Sequence, residues 1–263
     1  MSVEMQGAAA VVTGAGSGIG RAAAHSLARR GALVVVTDRD AARADTVAGE
    51  LGGQAVAARC DVTSLDDLEA VRDLALTTYG RVDIVMNNAG VLAVGPVEAI
   101  PLDAWRKVID VNLLGVVRSN LVFLPHLLER GSGHIVNTAS NAGLMPYGYE
   151  QLPYTASKHA VVGLSESLAL YLRPRGIGVS CLCPGMVVTN IAEQVAFYGE
   201  VSAPRGPNTP VLEADQVGEL VADGIAEDRF LILTVPAVAD ELREKGADIE
   251  AYLARLTSEI EGT

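Results

Sequence analysis

Aromatic residues are scarce in this sequence: Phe, Trp and Tyr together supply 4% of its 263 residues. Cysteine is scarcer, and Cys60, Cys181 and Cys183 each fall in an apolar, strand-like stretch. Thiols so placed read as buried side chains and exclude a disulfide framework. No histidine is close in sequence to Cys181 and Cys183, so a metal site there lacks further ligands and none is expected. Positive charge is also short, with 20 Lys and Arg against 32 Asp and Glu and a formal charge of −12. That balance argues against a nucleic-acid partner, because neutralising phosphates needs clustered cations. Uninterrupted apolar runs stay far below the ~20 residues that span a bilayer, so no membrane partner is expected. The opening MSVEMQG shows no basic-then-apolar leader pattern. Together these absences lead us to expect a cytoplasmic protein whose partner is a small molecule.

What is present suits a sizeable core, with 49% hydrophobic and 20% charged residues. Near-continuous apolar runs occur at residues 8–13, 33–37, 55–60, 82–87, 134–139, 178–183 and 230–234. Such runs are expected of strands covered on both faces. Helical-period segments lie between them, including 65–79 and 104–128. The alternation predicts an α/β, doubly wound parallel sheet with right-handed crossovers. No repeat or linker divides the chain, so 1–263 reads as a single domain. The Pro- and Gly-rich GEVSAPRGPNTP at 199–210 reads as part of a substrate lid over about 190–212. Residues 236–263 form a C-terminal extension, with 238–262 read as one charged amphipathic helix for the surface or a subunit contact.

The first apolar run ends in TGAGSGIG, residues 13–20, spaced GxxxGxG through Gly14, Gly18 and Gly20. Glycine permits a tight turn and lets a pyrophosphate approach N–H groups at a helix N-terminus. The next run ends at Asp38, ~20 residues beyond the loop, where a carboxylate accepts hydrogen bonds from an adenosine ribose and repels a 2′-phosphate. Arg39 beside it could instead receive that phosphate. The loop carries Ser17 and no basic residue, so NAD is favoured over NADP.

Further along stand Asp61-Val62, Asn87-Asn88-Ala89-Gly90, Asn112 in DVNLLG, Ser140 in HIVNTAS, Tyr154 and Lys158 as YxxxK, and Pro184-Gly185 with Val187 and Thr189 just beyond. In this order and spacing, the sequence resembles the short-chain dehydrogenase/reductase family over residues 7–234. The resemblance implies a Rossmann fold with a seven-stranded parallel sheet and helices on both faces. It implies that Gly14, Ser17, Gly18, Ile19 and Gly20 cradle the cofactor, with Asp38 and Arg39 at its ribose. Asp61 and Val62 would flank the adenine, and Asn88, Ala89 and Gly90 the ribose side. Pro184, Gly185, Val187 and Thr189 would lie at the nicotinamide. Asn87 ties strands together as readily as it meets a ligand. Family members are commonly homotetramers or dimers, so a homo-oligomer is expected.

The stretch MPYGYEQLPYTASK, residues 145–158, holds three of the seven tyrosines. Residues 154–172 have helical spacing with Pro153 at their start, so Tyr154 and Lys158 share a face. A cation held close favours the phenolate and should lower the tyrosine's ordinary pKa of about 10. Neither Tyr147 nor Tyr149 has such a partner. The resemblance makes Ser140, Tyr154, Lys158 and Asn112 the catalytic set, with Ser140 holding the substrate oxygen and Asn112 a water that links Lys158 to solvent. It also places the loop before Tyr154 against the substrate, so Leu144, Met145, Tyr147 and Tyr149 are expected to line the pocket. Glu150 could join them, although a solvated acid is its expected state, and Phe197 and Tyr198 would form a lid. An apolar, aromatic pocket suits a cyclic or aryl-bearing secondary alcohol or ketone. Two other readings remain: an NADPH-preferring reductase of a carbonyl such as a 3-oxoacyl thioester, and a non-catalytic nucleotide-sensing protein on the same fold.

Overall fold

The computed structural model describes residues 3–201 and 210–261. Seven strands form one parallel sheet: β1 (Ala9–Thr13), β2 (Leu33–Asp38), β3 (Ala55–Arg59), β4 (Ile84–Asn87), β5 (Gly133–Thr138), β6 (Ile177–Cys183) and β7 (Leu231–Leu233). Their spatial order is β7-β6-β5-β4-β1-β2-β3. Every expected apolar run became a strand, with ends displaced by two residues at most.

Successive strand residues point to opposite faces, and both faces of this sheet are covered. Along β1, Ala10 and Val12 pack with Leu27 of helix α1 (Gly18–Arg29) and Val221 of α7 (Ala214–Ala226). Val11, between them, packs on the other side with Leu68 of α3 (Leu65–Tyr79), Phe123 of α5 (Gly115–Arg130) and Leu172 of α6 (Leu152–Leu172). That two-sided burial is why the strands read as continuous apolar runs. The order reverses between β1 and β4, and a doubly wound sheet opens a crevice there, beyond its carboxyl ends.

Two helical expectations are corrected. Residues 102–130 run on as α4 (Leu102–Ile109), a wide π turn at Asp110–Leu114, and α5, so the helix is interrupted at Asn112. This 29-residue stretch is apolar enough by composition to cross a membrane, yet its apolar residues Val108, Val116, Phe123 and Leu127 are buried in the fold. The C-terminal extension is two helices, α8 (Val238–Ala247) and α9 (Ile249–Glu261). Asp248 takes an extended conformation between them, and its carboxylate accepts from Ala251 N at 3.0 Å, capping α9.

Candidate active site

The carboxyl ends of the strands open on a cleft of about 690 Å³. On its cofactor side the chain turns through the glycine loop. Gly14 has a φ of +63°, in the left-handed region, and a Cβ there would come within 3.0 Å of the Ala89 backbone. A Cβ on Gly20 would stand 2.3 Å from Gly14 O, so the loop closes on itself only without side chains. Ser17 precedes α1, and its hydroxyl makes no cap bond to that helix. Asp38 is aimed over the loop: Gly16 N donates to its Oδ2 at 3.1 Å and Asp40 N to its Oδ1 at 3.0 Å.

The loops after β1 and β4 are tied together. Asn88 Nδ2 donates to Thr13 O at 3.1 Å and Gly14 O at 3.2 Å, while Thr13 Oγ1 accepts from Asn88 N at 2.9 Å. Asn87 Nδ2 donates to Asn137 Oδ1 at 2.8 Å, joining β4 to β5 as a strand tie. At Asp61, burial works to raise the carboxyl, but hydrogen bonds from Thr63 and the charges of Arg39 and Arg59 bring it below the usual range. A carboxylate therefore stands at this end of the cleft.

On the reactive side, α6 begins at Leu152 with Pro153 in its first turn, which sets Tyr154 and Lys158 on one face. Lys158 is 3% exposed, and its Nζ donates to Thr138 O at 2.7 Å. The same nitrogen lies 5.6 Å from the Tyr154 ring centre. Burial pushes the Lys158 ammonium down to about 8. Burial also pushes the Tyr154 phenol up, against the Ser140 hydroxyl, which draws it back. Desolvation outweighs the Ser140 hydrogen bond, so the phenol lies above its ordinary value, where a lowering was expected. Ser140 Oγ accepts from Ala142 N at 3.1 Å, which fixes the hydroxyl over the short turn after β5.

Asn112 occupies the π turn. Its Oδ1 accepts from Val91 N at 2.8 Å, and its Nδ2 donates to Val91 O at 3.0 Å and Ser157 Oγ at 3.1 Å. Both ends of the side-chain amide are therefore engaged with protein groups. A Cβ placed on Gly90 would lie 3.4 Å from Asn112 Oδ1 and 3.6 Å from Lys158 Nζ, so Gly90 separates the two.

Of the residues expected at the site, Gly14, Ser17, Gly18, Ile19, Asp38, Arg39, Asp61, Val62, Asn88, Ala89, Gly90, Ser140, Tyr154, Lys158, Pro184, Gly185, Val187 and Thr189 border the cleft. Gly20 and Asn112 lie behind it, as supports. The substrate loop departs from expectation. Tyr147 borders the cleft, but Tyr149 is 46% exposed and does not border it. Leu144 and Met145 are buried against Val238 and Tyr252 of the C-terminal helices, because α8 and α9 offer apolar surface behind the loop. Glu150 is buried instead of solvated. Phe197 is 61% exposed on a short strand (Val195–Phe197) paired with Leu92–Val94, and Tyr198 packs against the cluster of Ala93, Ile100, Ala104 and Val108. Neither borders the cleft; of the expected lid, residues 202–209 lie outside the described residues. The mouth is formed by Met186, Ile191 and Val211, which the sequence did not single out. Gln151 was also missed, although it precedes Tyr154 by one helical turn.

A glycine loop at the switch point of a parallel sheet, with a half-buried tyrosine and a buried lysine facing it from one helix, defines a dehydrogenase site. A family model described as short chain dehydrogenase matches residues 8–197, and the chain belongs to that family. It is 38% identical to a 1-deoxy-11-beta-hydroxypentalenate dehydrogenase of Streptomyces exfoliatus, over 96% of this chain and 92% of that protein. It is 35% identical to a cyclohexanol dehydrogenase of an Acinetobacter species, over 91% and 96%. Among solved structures, a short chain dehydrogenase/reductase from Burkholderia phymatum in complex with NAD superposes with a TM-score of 0.86 at 36% identity, covering 95% of this chain and 96% of that one.

Proposed function

We propose that this chain is an NAD-dependent dehydrogenase that interconverts a neutral, cyclic or otherwise apolar secondary alcohol and its ketone. The observation that carries this reading is Ser140, Tyr154 and Lys158 facing a glycine loop whose acidic neighbour is Asp38. The residues fit the dinucleotide: Gly14 and Gly20 let the loop close tightly at the start of α1, and Ser17 keeps its hydroxyl out of the helix cap. Gly14, Ser17, Gly18, Ile19 and Gly20 hold the pyrophosphate region, and Asp38 the ribose. Asp61 and Val62 take the adenine, and Pro184, Gly185, Val187 and Thr189 the nicotinamide end. When bound, the nicotinamide exchanges the hydride.

The chain's own residues handle the proton. Tyr154 donates to, or accepts from, the substrate oxygen; Ser140 holds that oxygen by hydrogen bond; Lys158 keeps the phenol and its surroundings polarised. Asn112 positions the Val91 backbone, next to Gly90, which lies near Lys158. The substrate end is walled by Leu92, Val111, Tyr147, Met186 and Val211. Among the described residues, the charged groups of the cleft other than Lys158 come from the cofactor side, which supports an uncharged substrate. Similarity to a cyclohexanol dehydrogenase supports a cyclic one. A cytoplasmic setting and a homo-oligomer, tetramer or dimer, complete the reading.

The test is a screen of cyclic secondary alcohols with NAD, read by NADH absorbance, alongside Tyr154→Phe. That variant should bind NADH like the wild type and lose turnover by about 10²–10⁴-fold, the usual contribution of one positioned proton carrier. Near-full turnover in Tyr154→Phe would remove the tyrosine from the reaction.

A further inference from the structure

Asp38 does not face the adenosine end of the cleft alone. A Cβ placed on Gly16 would lie 2.6 Å from Arg43 Cβ and 2.7 Å from Asp38 Oδ2. The Arg43 stem, from helix α2 (Ala41–Leu51), and the Asp38 carboxylate therefore flank one spot above the glycine loop. The Arg43 head is drawn elsewhere: its Nη2 donates to Glu193 Oε2 at 2.6 Å, from a residue 150 positions along the chain. Glu193 belongs to the short helical turn Asn190–Gln194. That turn follows Thr189, whose Cβ would meet a side chain on Gly18 at 3.0 Å. Asn190 Nδ2 donates to the other oxygen of Glu193 at 2.7 Å, so the carboxylate is held ready for the arginine. Asp38, Arg43 and Glu193 all border the cleft.

A 2′-phosphate on the adenosine ribose would bring about two further negative charges to the spot that Asp38 and Arg43 flank. A guanidinium is the side chain best shaped to receive it, by two parallel N–H donations. Arg43 stands beside that spot, but its Nη2 donates to Glu193 and its Nε lies 3.6 Å from Asp40 Oδ2, so its head is drawn away. The charge of Arg39 acts on Asp61, on the adenine side. We propose that Glu193 is a cofactor-specificity residue: by holding Arg43 it withholds the cation that would receive a 2′-phosphate, and so enforces preference for the unphosphorylated dinucleotide. This rests on the dehydrogenase reading above. Arg43 and Glu193 are 38% and 51% exposed, so their pairing adds little to folding stability and its effect is local.

Affinities for NADH and NADPH, titrated into the full chain by fluorescence, test this. The wild type should bind NADH more tightly. Glu193→Gln should improve NADPH relative to NADH by about tenfold, the scale of one charge-assisted contact at an exposed site. Arg43→Gln should bring no such gain, and the double variant should show the Arg43→Gln ratio. An unchanged ratio in Glu193→Gln overturns the proposal. So does an equal gain in the double variant, which would place the effect in the charge of Glu193 itself. Failure of the wild type to bind NADH would instead overturn the dehydrogenase reading.

Discussion

Lys158 carries a positive charge into a site shielded from water, where its Nζ donates to Thr138 O. With burial pushing its ammonium from 10.5 down to about 8, the folded chain binds that proton less tightly than the unfolded one. Stability therefore rises with pH between about 8 and 10.5, and the burden is fully present below 8. Lys158→Met should raise the stability of the cofactor-free protein near neutral pH by ~1–2 kcal/mol, after allowing for the lost bond to Thr138. The gain should fade toward the ordinary lysine range. Denaturant melts across that range check it; a variant weaker at neutral pH would make Lys158 a structural residue. The pairing of Tyr154 with Lys158 was legible because a helix puts residues four apart on one face. The direction of the phenol's shift was not legible, since it depends on how much water burial removes. Nor did sequence separate Tyr147 from Tyr149, whose fates follow from loop geometry before Pro153.

At the scale of elements, the C-terminal helices act on the substrate side. Lys245 Nζ donates to Leu144 O at 2.5 Å, and Tyr252, buried beside Leu144 and Met145, donates through its hydroxyl to Glu241 at 3.1 Å. Helix α8 thereby fixes the loop between Ser140 and Tyr147. Lys245→Met should raise KM for the alcohol by about threefold to tenfold, the worth of one hydrogen bond, with kcat and NADH affinity little changed. Steady-state kinetics decide: a fall in kcat at constant KM would place Lys245 in the chemistry. The strands were legible because two-faced burial leaves no polar face to interrupt them. The break at Asp248 was hidden, because charged and apolar residues keep helical spacing through it. The π turn was hidden too; its one trace was an asparagine within an apolar helical run, a residue that competes with the backbone for hydrogen bonds.

Across the whole molecule, the two edges of the sheet do different work. The carboxyl edge carries the cleft, while near the amino edge His134 of β5 lies within 2.8 Å of Ser180 Oγ on β6. Ser180 donates its own proton to Arg229 O at 2.6 Å, so the imidazole must donate through Nε2, leaving Nδ1 bare 4.0 Å from Asp228 Oδ1. Burial pushes the imidazole down to about 4, with Asp228 opposing. The unfolded chain therefore takes up this proton first, and stability present above 6.5 is lost as pH falls toward 4. His134→Gln should flatten the stability profile over that window, at some loss near neutrality; an unaltered slope in denaturant melts would assign the acid sensitivity to other groups. The doubly wound parallel sheet was legible from the alternation of runs, and the cleft's edge from motifs placed at strand ends, whereas the contact of Arg43 with Glu193 joins segments whose meeting only the fold decides.

The tie between Thr13, Gly14 and Asn88 bears on how a ligand is met. It clamps the two loops flanking the switch point before anything arrives, so little ordering of the backbone remains for the dinucleotide to impose. Association should then resemble a key entering a cut lock, with the free energy of contact going into residence time and not into building the keyhole.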